Sequence, residues 1–405
     1  MTGVVPHEPP RVTQDEDPVA RGIAAEPEDF VVDEIPLYPP TGEGEHWMVQ
    51  LRKRGLTTTD AVAVVARAAG VAQRDIGYAG MKDRHAVTTQ WLTLPAHGAS
   101  LPERWELPSE LTVLAAERHG SKIRTGHLAG NRFRIRLLEA GQNAAERARA
   151  IGAALVHRGL PNYFGGQRFG RAGENLARAI EWLDAGAPPQ GKRTRFYRKL
   201  YPSVVQAEVF NRYLTERRQL GIETLLAGEV VRLARSKASF RVEEVSAEQP
   251  RFDARDIIPT GPLPGPKMKP AAGRPEEIES QVQAELGLTP ALLATLGKWA
   301  DGTRRDLLIW PEHWQVEPGP EGSFWIEFAL PPGAYATQVL RELMSAQWLE
   351  RGVVRGASEA PAQMAHETGF MGRSRAPSVA SSDGVALVEQ SREARDEGGA
   401  LPRER

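Results

Sequence analysis

The 405 residues include no cysteine. Disulfide scaffolds, thiolate chemistry, iron–sulfur clusters and cysteine-based zinc sites are therefore excluded. The absence also suits a reducing compartment. The nine histidines are scattered, with no HExxH or H-x-H pairing, so they draw no metal site. No stretch approaches the roughly 18–20 apolar residues that span a bilayer. The polar start MTGVVPHEPPRVTQDEDPVARG has no basic-then-apolar export signal. The expectation is a soluble, cytoplasmic protein. Charge of one sign is lacking too: 51 Lys and Arg stand against 52 Asp and Glu, for a net −1. A dedicated polycationic nucleic-acid binder shows more basic excess. Local fields still matter at a binding face, so the placement of the cations decides more than their total. GGQRFG and GYAG match neither GxxxxGK[ST] nor GxGxxG, and no fixed-period repeat is present.

What is present is enough for a sizeable core and two or three domains. Apolar residues reach 41% and recur in blocks, which argues against wholesale disorder. Phe30, Val31, Val32 and Ile35 feed a short strand. Trp47, Val49 and Leu51 alternate with Met48, Gln50 and Arg52, predicting a strand with one buried face. TTTDAVAVVARAAG reads as a threonine-capped buried helix that stops at Gly70. Ile76 and Tyr78 suggest a short strand and Val87 to Leu94 another, leaving MKDRH in a loop held between them. Such a loop presents charged groups from rigid supports. LTVLAAE reads as a further strand. In NRFRIRLLE, Phe133, Ile135 and Leu137 form one side and Arg132, Arg134 and Arg136 the other. NAAERARAIGAALVHRG reads as a helix.

GENLARAIEWLDAG has helical spacing through Leu176, Ile180 and Leu183. Ser203, with Gln206 in a capping box, is expected to start a helix at SVVQAEVFNRYL. PTGPLPGPKMKP reads as a long loop. Pro275 and Pro290 fit first helical positions. WIEFALPPG returns to strand and YATQVLRELM to helix. The pattern predicts a mixed catalytic domain interrupted by a largely helical insertion. A loose leader over residues 1–20 and a flexible extension after about residue 350 complete it.

Asp83 is the sharpest chemical candidate. Lys82 and Arg84 flank it and favour its ionised form, and an ionised carboxylate acts as nucleophile or base. The plainer reading is an ordinary loop carboxylate in local ion pairs. His85 can hydrogen-bond the backbone near the site or serve as a structural polar group. Tyr78 and Phe133 are rings that stack on a nucleobase or fill the core. Asn131 can read a base edge or start a strand. In a regular strand, Asn131 and Phe133 point to the same side. Two basic groups stand out. Arg118, Lys122, Arg124, Arg132, Arg134 and Arg136 form the first. Lys192, Arg193, Arg195, Arg198 and Lys199 form a denser second, with Phe196, Tyr197 and Tyr201 interleaved for stacking. A solvated face is the alternative for both.

Taken in order, PEDF with GEGEH, then GYAGMKDRHAVTTQW, NRFRI, GLPNYFGGQRFG, PTGPLPG and FALPPGAYATQVLREL span most of the chain, from about residue 22 to 345. Together they resemble the TruD family of tRNA pseudouridine synthases. The resemblance implies an α+β protein: a pseudouridine-synthase mixed α/β catalytic domain carrying an inserted, largely helical TRUD domain. The expected bounds are 21–159 and 306–350 for the catalytic parts, 160–305 for the insert, and 351–405 for the extension. It implies isomerisation of uridine to pseudouridine in tRNA, at uridine 13, with no cofactor, no metal and no obligate protein partner. A monomer is compatible with one cleft between two lobes. Asp83 falls on the family's catalytic aspartate position. Asn131 takes a base-edge role and Phe133 a stacking role, with Tyr78, Lys82, Arg84 and His85 around the substrate. One departure is Ala24, which stands shortly before PEDF where family members commonly carry a basic residue that pairs with or positions the carboxylate. It motivates the alternative of a catalytically impaired tRNA-binding or RNA-folding protein on the same fold. A small-molecule hydrolase fits less well, because no nucleophile–base pair accompanies the carboxylate.

Overall fold

A computed structural model describes residues 10–13, 17–170, 173–236, 238–320 and 322–344. The first nine residues of the expected leader and the whole of the 351–405 extension lie outside the described residues. The chain opens with β1 (Ala20–Ile23), β2 (Phe30–Pro36) and β3 (His46–Arg54), followed by α1 (Thr58–Ala69). Thr57 caps α1 by accepting the Asp60 N–H, and Gly70, at φ 73°, ends it in the left-handed region that glycine tolerates. Next come β4 (Gly77–Tyr78), β5 (Val87–Pro95), β6 (Leu111–His119), β7 (Leu128–Glu139) and α2 (Ala144–Arg158).

The middle of the chain contains β8 (Leu160–Pro161), α3 (Glu174–Asp184), α4 (Thr194–Gln219), β9 (Val230–Leu233), β10 (Ser239–Arg241), α5 (Val245–Asp253), β11 (Ile257–Leu263), α6 (Arg274–Glu285), α7 (Pro290–Gly297) and β12 (Thr303–Asp306). The chain then returns through β13 (Leu308–Ile309), β14 (Glu312–Pro318), β15 (Ser323–Leu330) and α8 (Ala336–Leu343).

The main sheet runs β14-β15-β7-β2-β5-β3-β6, with β1 on β7 and β4 on β5. The β2–β5 pair is parallel; every other pairing in this sheet is antiparallel. The last two strands thus close onto a sheet begun by the first seven. The segment between them builds its own four-stranded sheet, β10-β9-β11-β12, and its own apolar core around α4. β8 and β13, the ways in and out, pair with each other. Arg305 clasps this crossing. Its guanidinium donates to the Asn162 carbonyl (3.1 Å) and side chain (2.5 Å) and to the Gly333 carbonyl (2.9 Å). It also lies over Phe164, Phe210 and Tyr335. Desolvation pushes Arg305 down to about 10, so it stays cationic at neutral pH.

Several local expectations are corrected. Ser203 does not cap a helix: α4 starts at Thr194 and runs through Pro202. Burial of Leu200, Tyr201, Val204 and Val205 carries the helix across a residue that usually breaks one. Ser203 instead donates to the Leu200 carbonyl at 2.7 Å. PTGPL is strand rather than loop, because β11 is held between β9 and β12. Pro275 is the second residue of α6, while Pro290 does open α7. β3 buries residues on both faces, including Met48 beside Val49 and Leu51. Of the leader, Pro10–Thr13 and Asp17–Ala20 are tied down. Glu342 accepts from the backbone N–H groups of Val12 and Thr13, and Val19 and Ala20 have no exposed surface.

Candidate active site

Residues paired across a ladder share a face of the sheet, as do residues two apart in a strand. Lys53 pairs with Thr88, Thr88 with Val32, Val32 with Phe133 and Phe133 with Phe328. One step along the same face stand Leu51 opposite Gln90, and Glu34 opposite Asn131. Two helical covers pack on this face. α1 packs on Leu51 and Val49. α2 and α8 pack with Val32, Phe133, Ile135 and Leu137. On β2 and β5, which lie between β3 and β7 in sheet order, the face turns polar with Glu34, Thr88 and Gln90.

The MKDRH loop is fastened over this strip by bonds from β2, β3 and the start of α1. Lys82 Nζ meets Glu34 Oε2 at 2.5 Å, with side chains 5% and 1% exposed. The Lys82 N–H donates to Thr58 Oγ1 at 2.8 Å, and Thr58 in turn donates to Gln90 Oε1 at 2.9 Å. Lys53 Nζ donates to the carbonyl oxygens of Lys82 (3.3 Å) and Asp83 (2.6 Å). Lys82 is thereby spent on Glu34 and the loop main chain is held from two strands and a helix start. Asp83, Arg84 and His85 project from this fastening as exposed residues.

The electrostatics at Asp83 differ from the expectation. Desolvation by the surrounding protein raises its carboxyl above the ordinary value, against the pull of Lys53, Lys82 and His85. Crowding, which composition does not report, outweighs the flanking cations. Water reaching its exposed surface offsets part of that penalty. The cations acting on Asp83 are Lys53 and Lys82 with His85, and they are in place even though Ala24 carries no charge. The Ala24 N–H donates to the Arg136 carbonyl at 3.0 Å.

Asn131 stands opposite Glu34, with its Oδ1 buried and unpartnered. Gln90 Nε2 and Thr88 Oγ1 on the same face are likewise unpartnered and buried. Phe133 is 7% exposed and stacked on Phe328 with centroids 5.4 Å apart. Its ring lies in the core with one face toward Phe328. Tyr78 pairs with Leu92 on β5 and packs on the core beneath α1.

The two basic groups fare differently. On the far face of β7, Arg132 meets Glu327 at 3.7 Å, Arg134 meets Glu317 at 3.4 Å, and Arg136 meets Asp29 at 2.7 Å. That is a paired face, solvated at Arg132 and Arg134 and closed over at Arg136. In the second group, Lys192 and Arg193 lie in a short turn, and Arg195, Arg198 and Lys199 occupy the first turns of α4. Arg193, Arg195 and Lys199 are exposed, whereas Arg198 lies over the Trp299 ring at 4.3 Å. The interleaved aromatics do not form a stacking platform. Tyr197 stacks on Tyr201 at 4.9 Å, Phe196 packs edge-on to Tyr197, and all three join the core of the insert.

Sequence reasoning missed Lys53 and Glu34. A signal for Lys53 existed: it continues the Val49, Leu51 parity onto the buried face. Among the described residues, no group of three or more His, Asp or Glu is arranged to hold a metal, and no helix is long and apolar enough to cross a membrane.

The chain is similar to known proteins over most of its length. It matches the profile of tRNA pseudouridine synthase D (TruD) over residues 11–178 and 194–343. A tRNA pseudouridine synthase D of Anaeromyxobacter sp. (strain Fw109-5) is 43% identical over 79% of this chain and 91% of that protein. One from Thermus thermophilus is 36% identical over 85% of this chain and 94% of that protein. A crystal structure from Methanosarcina mazei, of a protein assigned as tRNA pseudouridine synthase D, superposes with a TM-score of 0.64. It is 26% identical, over 82% of this chain and 95% of that one. With a carboxylate fastened over a polar strip on this fold, and these matches, the chain belongs to the tRNA pseudouridine synthase D (TruD) family.

Proposed function

We propose that this chain isomerises uridine to pseudouridine in tRNA, at uridine 13, with Asp83 as its catalytic carboxylate. The observation that carries the assignment of Asp83 is its loop. Buried Lys53 and Thr58 fix the loop main chain around an exposed Asp83, and buried Glu34 holds the Lys82 side chain beside it. That is the preorganisation a reacting group requires. Residues 160–305 act as an insert that bounds the RNA cleft, and Arg193, Arg195 and Lys199 contact the phosphate backbone. The enzyme works as a monomer in the cytoplasm.

The reaction breaks the N1–C1′ bond, turns the uracil and rejoins it through C5, so no electrons and no phosphoryl groups change hands. Asp83 attacks C1′, removes a proton at C2′, or adds to C6. All three routes need an ionised carboxylate at the sugar–base junction of an everted nucleotide. Asn131 lies on the sheet face beneath this loop, where its free Oδ1 accepts from a base edge. Phe133 walls the pocket and limits escape of the cleaved uracil by stacking. Tyr78, Arg84 and His85 line the approach.

Purified protein incubated with unmodified tRNA, followed by mass-spectrometric mapping, tests this reading. Pseudouridine at position 13 supports it. Binding of tRNA without product, under turnover conditions, points instead to an impaired enzyme that binds or refolds RNA.

A further inference from the structure

Lys53 has no exposed surface. Its Nζ donates to three carbonyl oxygens: Leu56 at 2.7 Å, Lys82 at 3.3 Å and Asp83 at 2.6 Å. Burying an ammonium costs several kcal/mol unless its bonds are made in full. The neighbours on its face of β3, Val49 and Leu51, are apolar core residues. A methionine there would extend that stripe without the desolvation cost. The cation instead serves the loop, because it binds the carbonyls of both Lys82 and Asp83. The third, Leu56, lies just ahead of α1, whose Thr58 holds the same loop.

We propose that Lys53 is a positioning residue for the reaction, fixing the peptide that presents Asp83. This rests on the reading of Asp83 as the catalytic carboxylate. Lys53 has no exposed surface and so makes no contact of its own with tRNA. Loss of the ammonium therefore lowers the rate of the bound complex and leaves tRNA affinity unchanged. It also moves the acid limb of the rate upward, since one opponent of desolvation is gone. Lys82 and His85 also act on Asp83, and Glu34 binds Lys82; all remain in place in the test.

The cysteine-free chain offers a clean experiment. Lys53→Cys introduces a unique thiol. Alkylated in denaturant with bromoethylamine and refolded, it regains an ammonium on a side chain of lysine's length. Alkylated with iodopropane, it carries a methyl group in the ammonium's place. Wild type taken through the same cycle is the control. The readouts are tRNA Kd, single-turnover rate and the pH profile of that rate. The aminoethyl form should approach wild type. The propyl form should bind tRNA equally well and react about 100-fold more slowly, the scale of a misplaced reacting group, with its acid limb moved up. Equal rates and equal acid limbs in the two forms overturn the proposal. Should the alkylated chains not refold, Lys53→Gln expressed directly takes their place against wild type. A normal rate and acid limb in that variant, or no folded protein at all, then marks Lys53 as merely structural and overturns the proposal. Absence of product from wild type itself sinks the functional reading together with this one. Normal wild-type product with unaltered variants sinks this one alone.

Discussion

At the residue scale the account turns on one carboxylate and its fastening. Asp83 has a folded-state pKa above its ordinary value, so the folded chain holds that proton more tightly than the unfolded chain. Its contribution to stability is present at low pH and is lost as pH rises through the folded pKa. Asp83→Asn is therefore expected to melt no lower than wild type at neutral pH, and the difference should vanish in acid. Thermal unfolding at two pH values checks this; a clear drop in Tm at neutral pH contradicts it. The same shift places the acid limb of turnover above the ordinary carboxylate range, readable from single-turnover rates against pH. The Lys82–Glu34 pair makes the opposite case. Both side chains are buried, so Lys82→Met strands Glu34 and should cost about 3–5 kcal/mol in denaturant unfolding. The double variant Lys82→Met with Glu34→Leu should recover much of that loss. Losses that simply add would show that the pair does not interact.

At the element scale, local rules worked where local forces decide. Thr57 and Gly70 bound α1 because capping and a left-handed turn are properties of a few adjacent residues. Phe133, Ile135 and Leu137 are buried in the alternation the sequence shows, and each pairs across to β2, β1 or β15. The failures occur where packing overrides local chemistry. Pro202 is carried inside α4 by its buried neighbours, and the prolines of β11 are held by strands contributed from both sides. The place of Asp83 in a loop between β4 and β5 was legible. The electrostatics of Asp83 were not, because crowding comes from elements distant in sequence. Lys53, set between Arg52 and Arg54, reads as a charged run until its parity is considered. Two predictions belong here. Thr57→Ala removes the α1 cap beneath the MKDRH loop and should cost about 1 kcal/mol by urea unfolding. Gly152→Ala puts a methyl group into the Trp314 ring where α2 crosses β14, and should cost about 1–3 kcal/mol. Unchanged unfolding midpoints would contradict either packing assignment.

At the scale of the whole molecule, the chain leaves the main sheet after α2, builds a second sheet and core, and returns to place β14 and β15 beside β7. Arg305 joins the start of that excursion at Asn162, its end at β12, and the Gly333 turn that leads into α8. Arg305→Met leaves the Asn162 oxygens without this donor, and a net loss of about 1–3 kcal/mol is expected. If the clasp sets the lobes for tRNA, affinity for tRNA should fall with it; unchanged affinity with lowered stability would confine Arg305 to structure. The most direct test of the central claim is position-resolved pseudouridine measurement on one tRNA, treated in parallel with wild-type and Asp83→Asn protein of matched folding and tRNA affinity. Wild type should convert uridine 13, and the variant should convert none. Conversion by the variant at a rate near that of wild type would contradict it.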